Sequence, residues 1–333
     1  MLKTALIGCG RIGRMHAEIV NASSRTHLTL VHDVHGPSAA SVAEASGARV
    51  AETAEAVFDD PDVDAVIVAS VTSTHADYIE AAVRAGKPVL CEKPIDLDIR
   101  RVLACRDAIA GTDVPIQIGF NRRFDPGHTA VRDELASGDI GRLLQLLITS
   151  RDPAPPGDDY LRGAGGMIRD MTIHDFDLAR YLLGDDEPVE VWACAQALID
   201  PDLKQMDEVD CAMIVMRTGE GRQVLINNAR QSPYGYDQRI EAMATGGMLQ
   251  STNRTPHGIA RFTASGTDAG APYLDFFIER YREAFVHQLN AFVDTVEKGT
   301  PASPSFEDGL KALRLAEAAY QSLETGKATR VET

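Results

Sequence analysis

The sequence predicts an α/β protein with two domains: a doubly wound parallel sheet, followed by an α+β domain with an open, mostly antiparallel sheet. Three observations carry this prediction. The length of 333 residues is typical of about two domains. Short apolar runs alternate with amphipathic helical stretches over the first 120 residues, which is typical of βαβ units. Strand-like runs with short turns between them come later, and this arrangement favours antiparallel pairing.

The first predicted domain, residues 1–120, contains five apolar runs that predict strands and four stretches that predict helices. The strands are expected at Thr4–Ile7, Leu28–His32, Ala65–Ala69, Val89–Cys91 and Val114–Ile118. The helices are expected at Arg11–Asn21, Ser38–Ser46, His75–Ala85 and Ile99–Ala110.

The second predicted domain, residues 121–333, mixes helices with a run of consecutive strands. Its helices are expected at Gly127–Ser137, Arg169–Leu183, Tyr281–Glu297 and Glu307–Thr325, with a Pro-, Gly- and Asp-rich loop at Asp152–Asp159. Its strands are expected at Leu143–Thr149, Val189–Leu198, Cys211–Arg217, Gln223–Ala229, Arg239–Ala244 and Met248–Thr252.

Composition and charge exclude several classes of function. The formal net charge of −16 disfavours binding to nucleic acid, which needs clustered lysine and arginine. The longest apolar run, Ala65–Ala69, is too short to span a bilayer, and the N-terminus shows no export signal. No metal site is predicted, because the cysteines are scattered and fit the reduced thiols of a cytoplasmic protein. They are Cys9, Cys91, Cys105, Cys194 and Cys211.

A glycine-rich motif, Gly8-Cys9-Gly10-Arg11-Ile12-Gly13, joins the first predicted strand to the first helix. Its glycines allow a tight turn and a close approach to a pyrophosphate, which the helix N-terminus then binds. Asp33 stands at the end of the next strand, where a carboxylate can accept a hydrogen bond from a ribose 2′-hydroxyl. The pattern predicts a Rossmann domain that binds NAD; a purely structural glycine turn is the alternative.

The residues around Asp33 favour NAD over NADP. A carboxylate repels a 2′-phosphate, and Val34 and His35 follow it with no arginine to receive one. His32 and His35 leave some use of NADP open. The alternative is that both are ordinary loop histidines.

Lys93 is the first candidate for the reaction itself. It lies in Glu92-Lys93-Pro94, at the carboxyl end of a predicted strand, where open α/β sheets bind ligands. A residue before proline is held extended, so Lys93 should project into the crevice. A surface lysine is the alternative interpretation.

Asp170 and His174 are the second candidate pair. They are four residues apart on a predicted helix, so they share one face and the carboxylate can orient the imidazole. A histidine held this way is a common general base near neutral pH; a surface ion pair is the alternative. Asp175 points to another face and Asp177 can pair with Arg180, so neither is predicted to be catalytic.

Together these motifs resemble the glucose–fructose oxidoreductase / inositol dehydrogenase / MocA family over essentially the whole chain. Gly119–Asp125 and Glu307–Leu310 also fit the family pattern. Within the family the chain is most similar to the inositol 2-dehydrogenases, through Asn121–Asp125, Ile173–Asp177 and Tyr234–Arg239. The loop after Ala69 contains Val71-Thr72-Ser73 where many members of the family have Thr-Pro-Asn.

The resemblance implies roles for single residues. It implies hydride exchange with nicotinamide between the two domains and a cis peptide bond at Lys93-Pro94. The catalytic group would be Lys93, Asp170 and His174. Arg123 and Tyr236 would also contact the polyol. Beside the cofactor, the resemblance places Thr72, His75, Glu92 and Lys93.

The expected reaction is the NAD-dependent oxidation of a secondary ring hydroxyl of a cyclic polyol, with myo-inositol giving 2-keto-myo-inositol (scyllo-inosose). His174 would take the proton, although Lys93 can share it. The alternatives are another polyol or sugar (scyllo-inositol, glucose or an aldose derivative) and a non-catalytic NAD-binding sensor. A homo-oligomer, most plausibly a tetramer, is expected, because an open sheet must cover its second face.

Overall fold

The computed structural model describes residues 1–332, apart from the side chain of Asp159. The chain divides into two compact units. The first holds residues 1–121 and 284–313, and the second holds residues 122–283 and the C-terminal stretch from Arg314. The predicted boundary near residue 120 lies at this division, but the prediction left residues 284–313 in the second domain.

Contacts within the first unit explain why residues 284–313 belong to it. The Gln117 side chain donates a hydrogen bond to the carbonyl of Gln288 at 3.3 Å. The guanidinium of Arg25 forms an ion pair with Asp294 at 2.6 Å. Such pairings between distant segments leave no local pattern in the sequence.

The first unit contains the predicted parallel sheet with helices between its strands. Its strands are β1 Leu2–Ile7, β2 Thr26–His32, β3 Arg49–Val50, β4 Ala65–Val68, β5 Val89–Cys91 and β6 Ile116–Ile118. Its main helices are α1 Arg11–Ala22, α2 Gly36–Ser46, α3 Ala54–Asp59, α4 His75–Arg84 and α5 Ile99–Ala108. The order β3-β2-β1-β4-β5-β6, with every pair parallel, confirms the Rossmann prediction. It places the switch point, where such sheets bind ligands, between β1 and β4.

The second unit is built on a seven-stranded sheet. The strands are β7 Leu143–Arg151, β8 Pro188–Gln196, β9 Cys211–Thr218, β10 Gln223–Ala229, β11 Asp237–Ala244, β12 Gly247–Ser251 and β15 Thr329–Arg330. Their order across the sheet is β12-β11-β7-β10-β9-β8-β15. Each pair is antiparallel except β10 with β7, which confirms the predicted mostly antiparallel sheet. Its helices include α6 Pro126–Ser137, α7 Asp158–Ala164, α8 Ile173–Leu183 and α9 Phe277–Arg280.

Two long helices, α10 Arg282–Lys298 and α11 Phe306–Thr325, lie where two helices were predicted, and the strand β15, which was not predicted, follows them. A small hairpin, β13 Arg261–Thr263 with β14 Gly266–Ala269, was not predicted. Within the described residues, no helix combines the length and the apolar character that crossing a bilayer requires.

The helix predicted at Arg169–Leu183 differs from the structure at its start. Residues Ile168–Thr172 form a wide π-helical turn, and α8 begins only at Ile173. The prediction assumed regular α-helical spacing between Asp170 and His174, whereas Asp170 lies in the π turn and His174 in the first turn of α8. Single π turns inside helices are frequent at functional sites.

Candidate active site

The glycine-rich turn between β1 and α1 has the geometry that a pyrophosphate needs. Gly8 has φ +95°, and a Cβ there would overlap the Ala69 carbonyl. A Cβ at Gly13 would overlap the carbonyl oxygen of Gly8, so both glycines are required by packing. A Cβ at Gly10 would have nothing within 4 Å. The backbone at Gly10 is therefore open to a ligand at the N-terminus of α1, which fits a dinucleotide.

Asp33 follows β2 beside this turn. Its carboxylate accepts hydrogen bonds from the backbone N–H groups of Cys9 at 2.6 Å and His35 at 2.7 Å. These bonds fix a partly exposed carboxylate at the position expected for a ribose-binding residue. The ring of His32 is buried and donates from Nδ1 to the Ala51 carbonyl at 3.1 Å. His32 is thus a buried residue at the end of β2, not the partly exposed loop histidine of the alternative interpretation.

His75 connects the loop after β4 to the Lys93–Pro94 segment. Its imidazole is buried, with Nδ1 2.8 Å from the carbonyl oxygen of Pro94 and Nε2 3.1 Å from that of Ser70. Burial lowers the pKa of His75. The imidazole is therefore neutral near pH 7 and has one N–H, so His75 donates to one of these two carbonyl oxygens while it packs between the two loops. The Lys93–Pro94 peptide bond is cis, as the resemblance implied. Direct contact of His75 or Thr72 with a cofactor stays a prediction.

Glu92 is held by a histidine that the sequence analysis missed. Its Oε1 lies 2.7 Å from Nε2 of His16, a buried side chain of α1. The His16 ring also packs edge-on against Phe285, with ring centroids 5.8 Å apart. A histidine on the buried face of α1 gives no sign of its partner in the sequence, because 76 residues separate it from Glu92.

Asp170, in the second unit, has a hydrogen-bond donor for each oxygen of its carboxylate. The hydroxyl of Tyr160 donates to Oδ1 at 2.7 Å, and Nη1 of Arg230 donates to Oδ2 at 3.2 Å. Neither donor was predicted, since both come from segments outside the helix. His174 stands one turn further along the same helical stretch.

A buried ion pair lies beneath the start of α8. The Asp175 carboxylate pairs with Arg122, and it also accepts from Nδ2 of Asn228 at 2.8 Å. Burial raises the pKa of Asp175, and the positive charge of Arg122 opposes this. The side chain of Thr172 donates to the same asparagine at 2.6 Å, which fixes the helix start to β10.

A second buried ion pair binds Asp177 on α8. Asp177 accepts two hydrogen bonds from Arg123, at 2.8 and 2.6 Å. Arg180 binds Glu187 at 2.7 Å, and its predicted pairing with Asp177 stays a prediction. The sequence analysis did not find Arg123 as a partner, because 54 residues separate it from Asp177.

Tyr236, which the resemblance implies as a polyol contact together with Arg123, is buried and close enough to Arg122 to feel its charge. Burial raises the pKa of Tyr236, and the charge of Arg122 opposes that shift. Asp152, which follows β7, also faces Arg122, and burial raises its pKa to about 6. The guanidinium of Arg123 is occupied by Asp177, so its contact with a substrate stays a prediction.

The fold and these sites define an oxidoreductase with an NAD-binding Rossmann domain. Residues 2–120 match the model of a family described as "Oxidoreductase family, NAD-binding Rossmann fold". Residues 128–250 match the "GFO/IDH/MocA C-terminal domain". The chain belongs to this GFO/IDH/MocA family, as the resemblance indicated. Among residues 1–332, no three His, Cys, Asp or Glu side chains are grouped as metal ligands would be.

Individual relatives narrow the comparison. The chain is 44% identical to inositol 2-dehydrogenase of Rhizobium meliloti (strain 1021) over 97% of each chain. A crystal structure of a myo-inositol dehydrogenase from Corynebacterium glutamicum matches with a TM-score of 0.96, at 40% identity, over 100% of this chain and 99% of that one. A scyllo-inositol dehydrogenase from Lactobacillus casei, crystallised with NAD(H) and scyllo-inositol, matches with a TM-score of 0.92, at 27% identity, over 100% of both chains.

Proposed function

We propose that this protein oxidises the 2-hydroxyl of myo-inositol to a ketone, giving 2-keto-myo-inositol (scyllo-inosose), with NAD as the oxidant. The observation that carries the proposal is the anchored Asp170, four residues before His174 on one helical stretch, in a chain that also has the glycine turn expected of an NAD site. The choice of an inositol is supported by the 44% identity to an inositol 2-dehydrogenase over 97% of both chains.

The residues of the first unit would hold NAD. The backbone of Gly8–Gly13 would bind the pyrophosphate at the N-terminus of α1, and the carboxylate of Asp33 would bind the adenosine ribose. The loop with Thr72 and His75, together with Glu92, would lie beside the nicotinamide end. When bound, NAD supplies C4 of its nicotinamide as the hydride acceptor.

His174 is proposed as the general base that removes the hydroxyl proton as the hydride leaves the same carbon. Asp170 would orient the imidazole and stabilise its cation. Lys93 would donate a hydrogen bond to the reacting oxygen, stabilise its developing negative charge and share the proton transfer. Tyr236 and Arg123 are proposed to bind other hydroxyls of the ring, and the position of Arg122 beside Tyr236 adds a third candidate.

Initial rates with His174→Ala test the assignment of the base. Replacing a positioned acid–base group lowers turnover by about 10²–10⁴, and we expect that loss in kcat with myo-inositol and NAD. The dissociation constant of NAD should stay unchanged, because the residues proposed to hold it belong to the first unit. His257→Ala, which removes an exposed histidine of the second unit, is the matched control and should keep wild-type rates.

Near-full activity of His174→Ala would show that the base is wrong and would make Lys93 the leading candidate. The same assay, run with scyllo-inositol, glucose and other aldoses, tests the substrate. A higher kcat/KM on one of these compounds would leave the proposed reaction unchanged and would make that compound, rather than myo-inositol, the substrate. No turnover of the wild-type protein on any polyol or sugar would favour the NAD-binding sensor instead.

We also propose that the protein is a homo-oligomer, most plausibly a tetramer. The outer face of the second sheet carries exposed apolar side chains on four strands. They are Trp192, Met213, Val215, Met243 and Met248, each 42–53% exposed. The same sheet of a second copy would cover them. Light scattering tests the proposal, and a mass that stays near the 36.0 kDa of one chain at every concentration would exclude it.

The cytoplasm is the proposed location. Cys9, Cys91 and Cys105 are buried free thiols, which suit a reducing compartment. The partner proposed is a small cyclic polyol, with no role for nucleic acid or a membrane. Fractionation of cells that express the chain tests the location, and recovery of the protein outside the cytoplasmic fraction would exclude it.

A further inference from the structure

Arg230 is an arginine whose side chain is almost completely buried in the second unit. It follows β10 directly and is 1% exposed. Its Nη1 lies 3.2 Å from Oδ2 of Asp170, and its Nη2 lies 3.9 Å from Oε2 of Glu208. A buried guanidinium costs several kcal/mol to desolvate, and a well-packed apolar side chain often serves stability equally well. This cost suggests that the charge has a use at Asp170.

Glu208 lies on the other side of Arg230, 3.9 Å from its Nη2, which is too far for a hydrogen bond. The glutamate is 6% exposed, and its Oε1 accepts hydrogen bonds from the backbone N–H groups of Met167 at 2.9 Å and Val209 at 2.8 Å. These two bonds hold the carboxylate in place. Within residues 1–332, Nε and Nη2 of Arg230 have no hydrogen-bond partner, so Glu208 attracts Arg230 by charge while Nη1 donates to Asp170.

The surroundings of Arg230 contain an excess of acidic groups. Asp152, Asp170 and Glu208 all face its single positive charge. Burial raises the pKa of Asp152 to about 6; the charge of Asp170 adds to this rise and that of Arg230 opposes it. Arg122 and Asp175 act on the same carboxyl with opposite signs. In such a region, Arg230 is the charge best placed to keep Asp170 ionised.

Tyr160 gives Asp170 its second donor from a different element. The tyrosine lies on α7, is 47% exposed, and donates from its hydroxyl to Oδ1 at 2.7 Å. Arg230 contacts Oδ2, so the two donors fix both oxygens of the carboxylate and hence its plane.

We infer that Arg230 and Tyr160 are positioning residues for Asp170, which together hold its carboxylate ionised and in one orientation for His174. The inference rests on the proposed function, because it assigns Asp170 to the proposed base. It adds two residues, neither of which is proposed to touch the substrate.

The inference predicts the direction of a pH shift. Removing a buried positive charge makes protonation more favourable for every titratable group around it, whether carboxyl or imidazole. The base must be unprotonated to work, so the acidic limb of the kcat–pH profile should move to higher pH. Loss of the Tyr160 hydroxyl should act in the same direction but more weakly, because it removes one donor and no charge.

The experiment compares four variants with wild type, using myo-inositol and NAD across the pH range. Arg230→Met should lower kcat about 10- to 100-fold and move the acidic limb up by about one pH unit. Arg230→Lys keeps the charge, so its limb should stay at the wild-type pH. Tyr160→Phe keeps the ring of a 47% exposed side chain and removes only its hydroxyl. It should lower kcat about 3- to 10-fold, with a smaller upward shift of the acidic limb.

Arg222→Met is the matched control. Arg222 is an 18% exposed arginine of the same unit that pairs with Asp186 and Glu220. It flanks the opposite end of β10, about 25 Å from Arg230 at roughly 3.3 Å per residue. Its replacement should leave the acidic limb where it is in wild type.

The possible outcomes separate this inference from the proposed function. A wild-type protein without dehydrogenase activity would overturn both. An active wild type, with Tyr160→Phe and Arg230→Met both showing the wild-type limb, would overturn the positioning role alone. If Arg230→Met does not fold, Tyr160→Phe and Arg230→Lys test the inference. An unchanged kcat with an unshifted acidic limb in Tyr160→Phe would contradict it. A shifted acidic limb in Arg230→Lys would also contradict it.

Discussion

Gly10 and Gly13 belong to one short turn, yet adding a methyl group to each should have different consequences. A Cβ at Gly10 meets nothing within 4 Å, so Gly10→Ala should leave the thermal midpoint of unfolding unchanged. The same methyl group would occupy the space from which a phosphate oxygen reaches the backbone at about 2.9 Å. Losing one charge-assisted hydrogen bond costs about 1.5–3 kcal/mol, which is about a 10- to 100-fold weaker affinity for NAD.

Gly13→Ala should instead destabilise the protein without any ligand. Its Cβ would overlap the carbonyl oxygen of Gly8, and backbone cannot move aside as a flexible side chain can. Overpacking of this kind costs about 1–3 kcal/mol or more, and the thermal midpoint should fall by about 2–4 °C for each kcal/mol.

Titration calorimetry with NAD and differential scanning calorimetry without it measure the two effects separately. Gly157→Ala is the matched control: Gly157 precedes α7 with φ −69°, as Gly10 precedes α1 with φ −72°, and its Cβ would also meet nothing within 4 Å. It should change neither the affinity for NAD nor the thermal midpoint. Wild-type affinity for NAD in Gly10→Ala would refute the assignment of the open surface at Gly10 to the pyrophosphate.

Four further changes have defined expectations. Asp33→Ser should narrow the preference for NAD over NADP, measured as the ratio of kcat/KM, because it removes the carboxylate that repels a 2′-phosphate. Asp170→Asn should lower kcat and move the acidic limb of its pH profile to lower pH, because a lost negative charge disfavours the imidazolium. Asp177→Asn should lower the free energy of unfolding in urea by about 3–5 kcal/mol, because an amide replaces the carboxylate of a buried pair with Arg123. Burial lowers the pKa of His128 from its ordinary 6.5 to about 4, so the unfolded chain takes up a proton at a higher pH than the folded chain does. The free energy of unfolding should therefore fall by about 3 kcal/mol between pH 6.5 and pH 4. In His128→Gln, the free energy of unfolding should change less between pH 6.5 and pH 4 than it does in wild type.

Each of these expectations has a result that would contradict it. Equal or higher efficiency with NADP in wild type would show that Asp33 does not select the cofactor. An upward shift of the limb in Asp170→Asn would mean that its charge does not act on the base. An unchanged urea midpoint in Asp177→Asn would show that the pair with Arg123 adds no stability. If the free energy of unfolding of His128→Gln falls with pH as steeply as that of wild type, another group causes the acid sensitivity.

Several elements could be located from their local sequence pattern, and two short ones could not. The bounds of β5 and β10 match the predicted Val89–Cys91 and Gln223–Ala229, because apolar runs between turn residues define them. The missed strand β3 has two residues, and the missed helix α3 has six. The two residues of β3 are both exposed and form no apolar run, and the six residues of α3 are less than two helical turns, so tertiary contacts decide the structure of both segments.

Some residues of the candidate site could likewise be found from the sequence, and others could not. Gly8–Gly13 and Asp33 could be found because local chain geometry fixes their spacing. The side chains that hold the candidate residues lie far away in the sequence: 60 residues separate Arg230 from Asp170. Only folding brings such residues together, so no window along the sequence contains the signal. The sequence shows only an arginine directly after the predicted strand Gln223–Ala229, and nothing in it indicates that this arginine is buried.

The two buried ion pairs on α8 show why the fold accepts costly charges near His174. Asp175 and Asp177 are two residues apart, and at 100° per residue they leave the helix about 200° apart, on opposite sides. Arg122 and Arg123 bind them from one short helical turn, Asn121–Phe124. Two attachments on opposite sides prevent the helix from rotating about its axis, which one attachment or an apolar contact would allow. Because His174 directly precedes Asp175, fixing this rotation also fixes the direction of the imidazole, and this precision is what a general base needs.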